Sequence, residues 1–166
     1  VVLAVLTIGE MPTYMVKWDR ILKPHHILIG LNSRRNFEAI RELATVFGAD
    51  GVNVKELVAN IIKREREAST GIGKGVAVPH AHQDDIPHQL LAVGISHVGV
   101  DFSAIDDEPV KIIALLATPV KHQRQHMELL AALSRTLQQE TVRLELASAV
   151  DSSEVLDIFS RSNNAR

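Results

Sequence analysis

The sequence has no cysteine among its 166 residues. Disulfide bonds, cysteine nucleophiles and zinc–thiolate sites are therefore excluded. Aromatic residues are also scarce, at 4% of the chain, whereas hydrophobic residues make up 46%. Valine, isoleucine, leucine and alanine must therefore fill the core of a chain whose length suits one domain.

A concentration of positive charge is missing as well. The formal net charge is -2, and no long basic run interrupts the sequence. Proteins that bind nucleic acid need a clustered patch of Lys and Arg. Nucleic acid is therefore not expected among the partners.

The apolar N-terminal stretch VVLAVLTI is too short to cross a membrane. It spans eight residues, whereas a helix that crosses a bilayer needs about 20. It also lacks the basic lead-in and the small-residue cleavage site of a signal peptide. We expect a cytoplasmic chain without direct membrane insertion. Because the first residue is Val, a cytoplasmic domain of a longer membrane protein stays open.

Strand and helix patterns alternate along the chain. Runs rich in Val, Ile and Leu predict strands over residues 25–31, 76–78, 90–100 and 110–118. Helical spacing and capping residues predict helices between residues 33 and 47, after Asn53, and over residues 126–137, 140–149 and 151–159. This alternation indicates an α/β fold in which helices sandwich a mixed β-sheet. We assign residues 1–20 to an N-terminal arm or upstream segment, 21–160 to one domain and 161–166 to a frayed tail.

The segment STGIGKGVAVPHAH, residues 69–82, concentrates three glycines before an apolar run. The glycines could free backbone N–H groups to bind an anion. Alternatively, they form an ordinary turn from a helix into a strand. The segment is not a P-loop, because Gly75 stands where Ser or Thr would follow Lys74. It is not a dinucleotide fingerprint either, because a strand follows where a helix is required.

His80 stands at the end of this segment, directly after a proline. Pro79 restricts the backbone, and the predicted strand anchors the histidine in the core. A neutral imidazole is a competent nucleophile near pH 7, since its unperturbed pKa is about 6.5. His126 shares a helical stripe with Leu130, Leu133 and Leu137, so its buried side chain needs a polar partner. That partner is either a backbone carbonyl or a group of the site.

Two histidine pairs have spacings that metal sites use. His80 and His82 form an H-x-H pair, and His122 and His126 are four residues apart. With Asp84 or Asp85 they could hold zinc. The ligand set lacks a convincing third and fourth member, so we expect no metal.

Four stretches of the chain resemble successive blocks of a known family. They are LNSRRNFEAIRELATVF, REREASTGIGKGVAVPHA, VDFSAIDDEPVKIIALLATP and HMELLAALSRTL. The family is the enzyme IIA (EIIA) domain of the bacterial phosphotransferase system (PTS), of the fructose/mannitol and nitrogen-regulatory type. The resemblance covers roughly residues 20 to 160, as expected for a single domain. The motifs R-E, S-T-G-I-G and P-H follow one another in the order typical of the family, and this order is hard to reach by chance.

The resemblance assigns roles to individual residues. It implies that His80 carries the phosphoryl group, that His126 is the second histidine of the site, and that Arg64 is the family's arginine. The implied phosphate-binding loop consists of Ser69, Thr70, Gly71 and Gly73. The activity would be that of a protein-histidine phosphotransferase without a cofactor, since the phosphoryl group is held covalently on His80. Lys74 and His82 differ from the family's usual residues, and they leave the choice of partner open.

The resemblance also implies partners. The donor would be an HPr-type phosphocarrier protein, and the acceptor a IIB component in sugar transport. In the alternative, a regulatory role, the phosphorylation state controls a target protein, which could be a transporter fused to this domain. A metal-binding protein built on the histidines is a third hypothesis.

Overall fold

The computed structural model describes residues 15–163. Within this range the chain forms six α-helices and six β-strands, with short 3-10 turns at Pro24–His26 and Thr45–Asp50. The helices are α1 (Trp18–Ile21), α2 (Asn36–Ala44), α3 (Val54–Glu67), α4 (Gln123–Gln138), α5 (Glu140–Ser148) and α6 (Ser152–Ser162). The strands are β1 (Ile27–Ile29), β2 (Gly71–Gly73), β3 (Val76–Ala77), β4 (His80–His82), β5 (Leu90–Val100) and β6 (Val110–Thr118).

The strands form one mixed sheet in the order β1-β5-β6-β3-β2. The two long strands, β5 and β6, pair antiparallel at its centre. β1 runs parallel to β5, and β2 runs antiparallel to β3. Both β3 and β4 run parallel to β6 and pair with successive parts of it. β4 therefore lies beside the C-terminal end of β6.

Helices cover both faces of the sheet, as predicted. One core contains residues of α1, α4, α5 and α6 together with Ile112, Ala114 and Leu116 of β6. The other core contains residues of α2 and α3 together with Ile113, Leu115 and Ala117. Alternate residues of a strand point to opposite faces, so β6 supplies both cores and is apolar almost throughout.

The central strands occupy the residues predicted for them, whereas the helices differ in detail. α4 begins at Gln123, three residues before the predicted start. Its buried stripe includes Leu129, while Leu130 is only half-buried. The first turn of α3 is capped as expected, since the Asn53 side chain accepts a hydrogen bond from the backbone N–H of Glu56.

Both ends of the described range pack on the domain. Val16 and Trp18, in the segment predicted to be an N-terminal arm or upstream segment, are buried in the core. α6 continues to Ser162, inside the segment predicted to be frayed, and the Asn163 side chain donates a 2.7 Å hydrogen bond to the Val16 carbonyl. Residues 1–14 and 164–166 lie outside the described range. Between residues 15 and 163, no helix combines the length and hydropathy needed to cross a bilayer.

Candidate functional site

The turn between β3 and β4 holds His80 in a fixed orientation. Pro79 has no N–H, but its carbonyl accepts a 3.0 Å hydrogen bond from the backbone of Leu116. His80 then lies beside Leu116 in the parallel pairing of β4 with β6. Its Nδ1 atom is 2.8 Å from the carbonyl oxygen of Val78. Because a carbonyl can only accept, Nδ1 carries the proton, and the neutral ring keeps a free lone pair on Nε2.

The surroundings of His80 favour its neutral form. The side chain is half-buried, and burial lowers its pKa below the ordinary value of 6.5. The hydrogen bond to Val78 opposes this shift, whereas Arg64 and His82 reinforce it. Nε2 is therefore available as a nucleophile at neutral pH.

His126 is buried next to His80, in the first turn of α4. Its side chain is 3% exposed, and its ring centroid lies 5.3 Å from that of His80. The ring of His82 is closer still, at 4.1 Å between centroids. Burial and the two neighbouring histidines lower the pKa of His126 to about 4. His126 is therefore a neutral hydrogen-bonding group at pH 7.

One face of α3 forms the opposite wall of a surface cleft at these histidines. The residues that line the cleft are Asn60, Lys63, Arg64, Glu67, His80, Ala81, His82 and His126. The Arg64 guanidinium donates a 3.0 Å hydrogen bond to the carbonyl of Ala68, just after the end of the helix. This bond uses one of its five donors, so others stay available for an anion.

The hydroxyl groups of Ser69 and Thr70 are bonded within the protein. Ser69 donates a 2.6 Å hydrogen bond to the carbonyl of Phe102. The Thr70 hydroxyl and backbone N–H both donate to the buried carboxylate of Glu65. The Thr70 carbonyl accepts a hydrogen bond from the backbone N–H of Val78. Ser69 and Thr70 therefore fix the backbone next to Val78, whose carbonyl orients His80.

The glycines form a β-hairpin whose tip lies away from the cleft. β2 and β3 are joined by a turn at Lys74 and Gly75, both with positive φ. The backbone N–H of Lys74 donates to the carboxylate of Asp106, so an anion of the protein itself occupies the tip. On β6, Val76 pairs with Ile112 and His80 pairs with Leu116, four residues further on. The hairpin at Val76 therefore lies about 13 Å along the strand from His80. Gly71 lies closer to the cleft than Gly73, and a side chain there would collide with Ala104. A phosphate-binding role of Ser69, Thr70, Gly71 and Gly73 stays a prediction.

The histidine pairs considered as metal ligands do not form a cluster of three ligands. In residues 15–163 one set of three possible ligands has its atoms within 4.8 Å, namely His25, His26 and Asp50. His26 Nδ1 accepts a hydrogen bond from the backbone N–H of Lys23, so its Nε2 carries the proton and donates to Asp50 at 2.7 Å. That nitrogen therefore has no free lone pair for a metal in this state. His122 Nδ1 lies 3.2 Å from the side-chain amide of Gln89.

The sequence did not predict several residues of the cleft. Asn60, Lys63 and Glu67 repeat at helical spacing with Arg64, and this spacing could have indicated them. Thr118 was missed as well: its Oγ1 lies 2.6 Å from His126 Nδ1 and 3.0 Å from His82 Nδ1. Its place at the end of an apolar strand carried no signal of a polar contact.

Comparison with known proteins identifies the family. The model of the family described as "Phosphoenolpyruvate-dependent sugar phosphotransferase system, EIIA 2" matches residues 20–162. This is most of the chain, and the protein belongs to that family.

Individual relatives and structures agree with this assignment. The chain is 30% identical over 148 residues to the PTS system fructose-specific EIIABC component of Bacillus subtilis, covering 88% of this chain and 23% of the relative. It is 37% identical over 99 residues to the PTS system fructose-specific EIIA component of Haloferax volcanii, covering 60% of this chain and 64% of the relative. The chain thus spans less than two thirds of either relative. The crystal structure of nitrogen regulatory protein IIA-Ntr from Neisseria meningitidis superposes with a TM-score of 0.79 at 26% identity, covering 84% of this chain and 97% of that chain.

Proposed function

We propose that the chain is a phosphocarrier domain, in which His80 accepts a phosphoryl group on Nε2 from a phosphorylated HPr-type protein and passes it on. The observation that carries this proposal is the hydrogen bond from His80 Nδ1 to the Val78 carbonyl. It leaves Nε2 as the unprotonated nitrogen at a cleft that also contains Arg64 and Lys63. The reaction makes the domain a protein-histidine phosphotransferase.

The transfer step needs no separate acid or base. The lone pair of His80 Nε2 forms a P–N bond while the P–N bond to the donor histidine breaks, and that donor nitrogen recovers its lone pair. The His80 ring gains positive charge during attack, and its Nδ1–H then donates more strongly to Val78. Arg64 and Lys63 face the three phosphoryl oxygens, whose charge must be stabilised in a loose transition state.

The test is to map the phosphate after incubation with phosphoenolpyruvate, enzyme I and HPr. We expect acid-labile phosphate on Nε2 of His80, and none in His80→Ala. The matched control is His97→Ala, which removes an exposed histidine of β5. Phosphorylation of His80→Ala to the wild-type level would refute the assignment of His80.

Two roles are possible after His80 is phosphorylated, sugar transport and regulation. They differ in whether a IIB component accepts the phosphoryl group. The first role is supported by the name of the Bacillus subtilis relative, EIIABC, of which this chain matches one part. The second is supported by the IIA-Ntr structure, of which the chain covers 97%. Phosphorylated protein should be mixed with a fructose-type IIB domain. Rapid transfer to a IIB cysteine or histidine supports transport, whereas a stable phosphoprotein that binds another target supports regulation.

A further inference from the structure

Thr118, the last residue of β6, connects two histidines of the cleft. It is completely buried, and its hydroxyl contacts Nδ1 of both His126 and His82. A hydroxyl has a single proton, so it donates to one of these rings and accepts from the other. The direction of this chain of hydrogen bonds decides which nitrogen of His126 is protonated.

The two distances favour one direction. With oxygen as the acceptor, hydrogen bonds donated by a hydroxyl are typically about 2.7–2.8 Å long and those donated by N–H about 2.9–3.0 Å, so a hydroxyl approaches its acceptor more closely than an N–H does. The contact of Thr118 with His126 is 2.6 Å, and that with His82 is 3.0 Å. Thr118 therefore donates to His126 Nδ1, and His82 Nδ1–H donates to Thr118.

We propose that Thr118, held by His82, is a positioning residue that fixes neutral His126 in the tautomer with its proton on Nε2. The inference rests on the proposed function and extends it: the Nε2–H of His126 donates to phosphoryl oxygens on the neighbouring His80, whose ring centroid lies 5.3 Å away. In the opposite tautomer, Nε2 of His126 would present a lone pair to an anion. The hydroxyl of Thr118 thus determines whether His126 attracts or repels the phosphoryl group.

The test reads the tautomer of His126 directly in the unphosphorylated protein. Nitrogen chemical shifts of ¹⁵N-labelled histidine distinguish a protonated ring nitrogen from an unprotonated one. We expect His126 to be protonated on Nε2 in the wild type and in Thr118→Ser. The control is Thr136→Val, which alters a buried threonine on the same helix as His126 and should not change the tautomer. Thr118→Val lacks the donor and should give a mixture of both tautomers, as should His82→Leu, because Thr118 can then adopt either direction.

The second readout is single-turnover phosphoryl transfer to His80. We expect Thr118→Val to be slower by the factor by which its Nε2-protonated tautomer is depleted, which the nitrogen shifts measure independently, whereas Thr118→Ser keeps the wild-type rate. A wild-type His126 protonated on Nδ1 would overturn the inference, even if Thr118→Val failed to fold. An unchanged tautomer in folded Thr118→Val would overturn it too. Failure of the proposed function would instead appear as a correct tautomer without phosphate on His80.

Discussion

A single backbone carbonyl selects the reactive nitrogen of His80. Val78 precedes Pro79, and its carbonyl oxygen lies 2.8 Å from His80 Nδ1. No side chain supplies this contact, so it cannot be removed by a substitution at Val78. The residues whose roles can be tested by substitution are those that line the rest of the cleft.

Arg64→Ala should slow phosphoryl transfer without affecting folding. Loss of one charge-assisted donor to the transferring oxygens costs about ten- to a thousandfold in rate. The control is Arg66→Ala on the same helix. The Arg66 guanidinium lies over the ring of Phe37, 5.4 Å from its centroid, and the transfer rate of this variant should stay within about threefold of the wild type. Single-turnover transfer from phosphorylated HPr measures both rates. Equal rates for folded Arg64→Ala and wild type would reduce Arg64 to a structural role.

Two glycines should respond oppositely to alanine. A Cβ at Gly94 of β5 would lie 2.8 Å from Leu31 Cδ1 and 3.3 Å from Leu43, so Gly94→Ala should destabilise the protein by about 1–3 kcal/mol. At Gly48 nothing lies within 4 Å of the added atom, and φ is not positive. Gly48→Ala should therefore be neutral or stabilising by up to about 1 kcal/mol. Urea unfolding of the two variants measures both changes, and a stable Gly94→Ala would mean that the two leucines can move apart.

At the level of elements, α4 supplies both a group of the cleft and an exposed apolar surface. His126 faces inward, whereas the next residue, Met127, is 65% exposed, and Val120, just before the helix, is 41% exposed. The proposed carrier function requires brief binding of partners, which suits a modest and partly apolar interface. This end of α4 is therefore the expected docking surface.

On the proposal that HPr is the phosphoryl donor, Met127→Lys should weaken the binding of HPr. The loss of one apolar contact at a small interface typically costs about 1–2 kcal/mol, or roughly five- to thirtyfold in affinity. Leu144→Lys on α5 is the matched control, because Leu144 is 63% exposed but lies on another helix. Isothermal titration calorimetry with HPr compares them. If Met127→Lys binds as tightly as Leu144→Lys, docking occurs on another surface.

For the whole molecule, buried histidines make stability depend on pH. Burial lowers the pKa of His26, His80 and His126 in the folded state. The unfolded chain therefore takes up protons at a higher pH than the folded one, and the free energy of unfolding falls as pH decreases below about 6.5. For His126 the loss continues down to its folded pKa of about 4 and amounts to roughly 3 kcal/mol at most.

Urea unfolding at several pH values between 7 and 4.5 tests this dependence. His126→Gln removes one titrating group and should flatten the curve, although it can lower stability at pH 7. His97→Gln replaces an exposed histidine and should leave the slope unchanged. A wild-type protein that is equally stable at pH 7 and pH 4.5 would contradict the prediction.

The central sheet and its covering helices could be predicted because their patterns are strong. β5 and β6 are long apolar runs, and their limits agree with the sequence prediction. α3 and α6 each begin with a side chain that accepts a hydrogen bond from a backbone N–H three residues later, at Asn53 and Asp151. Such local signals do not depend on distant parts of the chain.

The glycine segment and the full cleft could not be predicted, because both depend on distant contacts. β2 has two glycines in three residues, and it forms a strand because β3 is already held on β6. Asp106 binds the tip of this hairpin from 32 residues away. Thr118 meets His82 across 36 residues, so neither position alone indicates a hydrogen bond.

The central position of β6 in the sheet limits the motions of the site. The strand is paired on both sides, with β5 on one and with β3 and β4 on the other, and each residue from Ile112 to Thr118 is buried. Its amide protons can exchange with water only when the two cores separate, so they should be the slowest of the domain. The carbonyl of Pro79 and the hydroxyl of Thr118 are attached to this strand. The histidines are therefore held in register until the whole domain opens, and a partner must bind to a site that is already assembled.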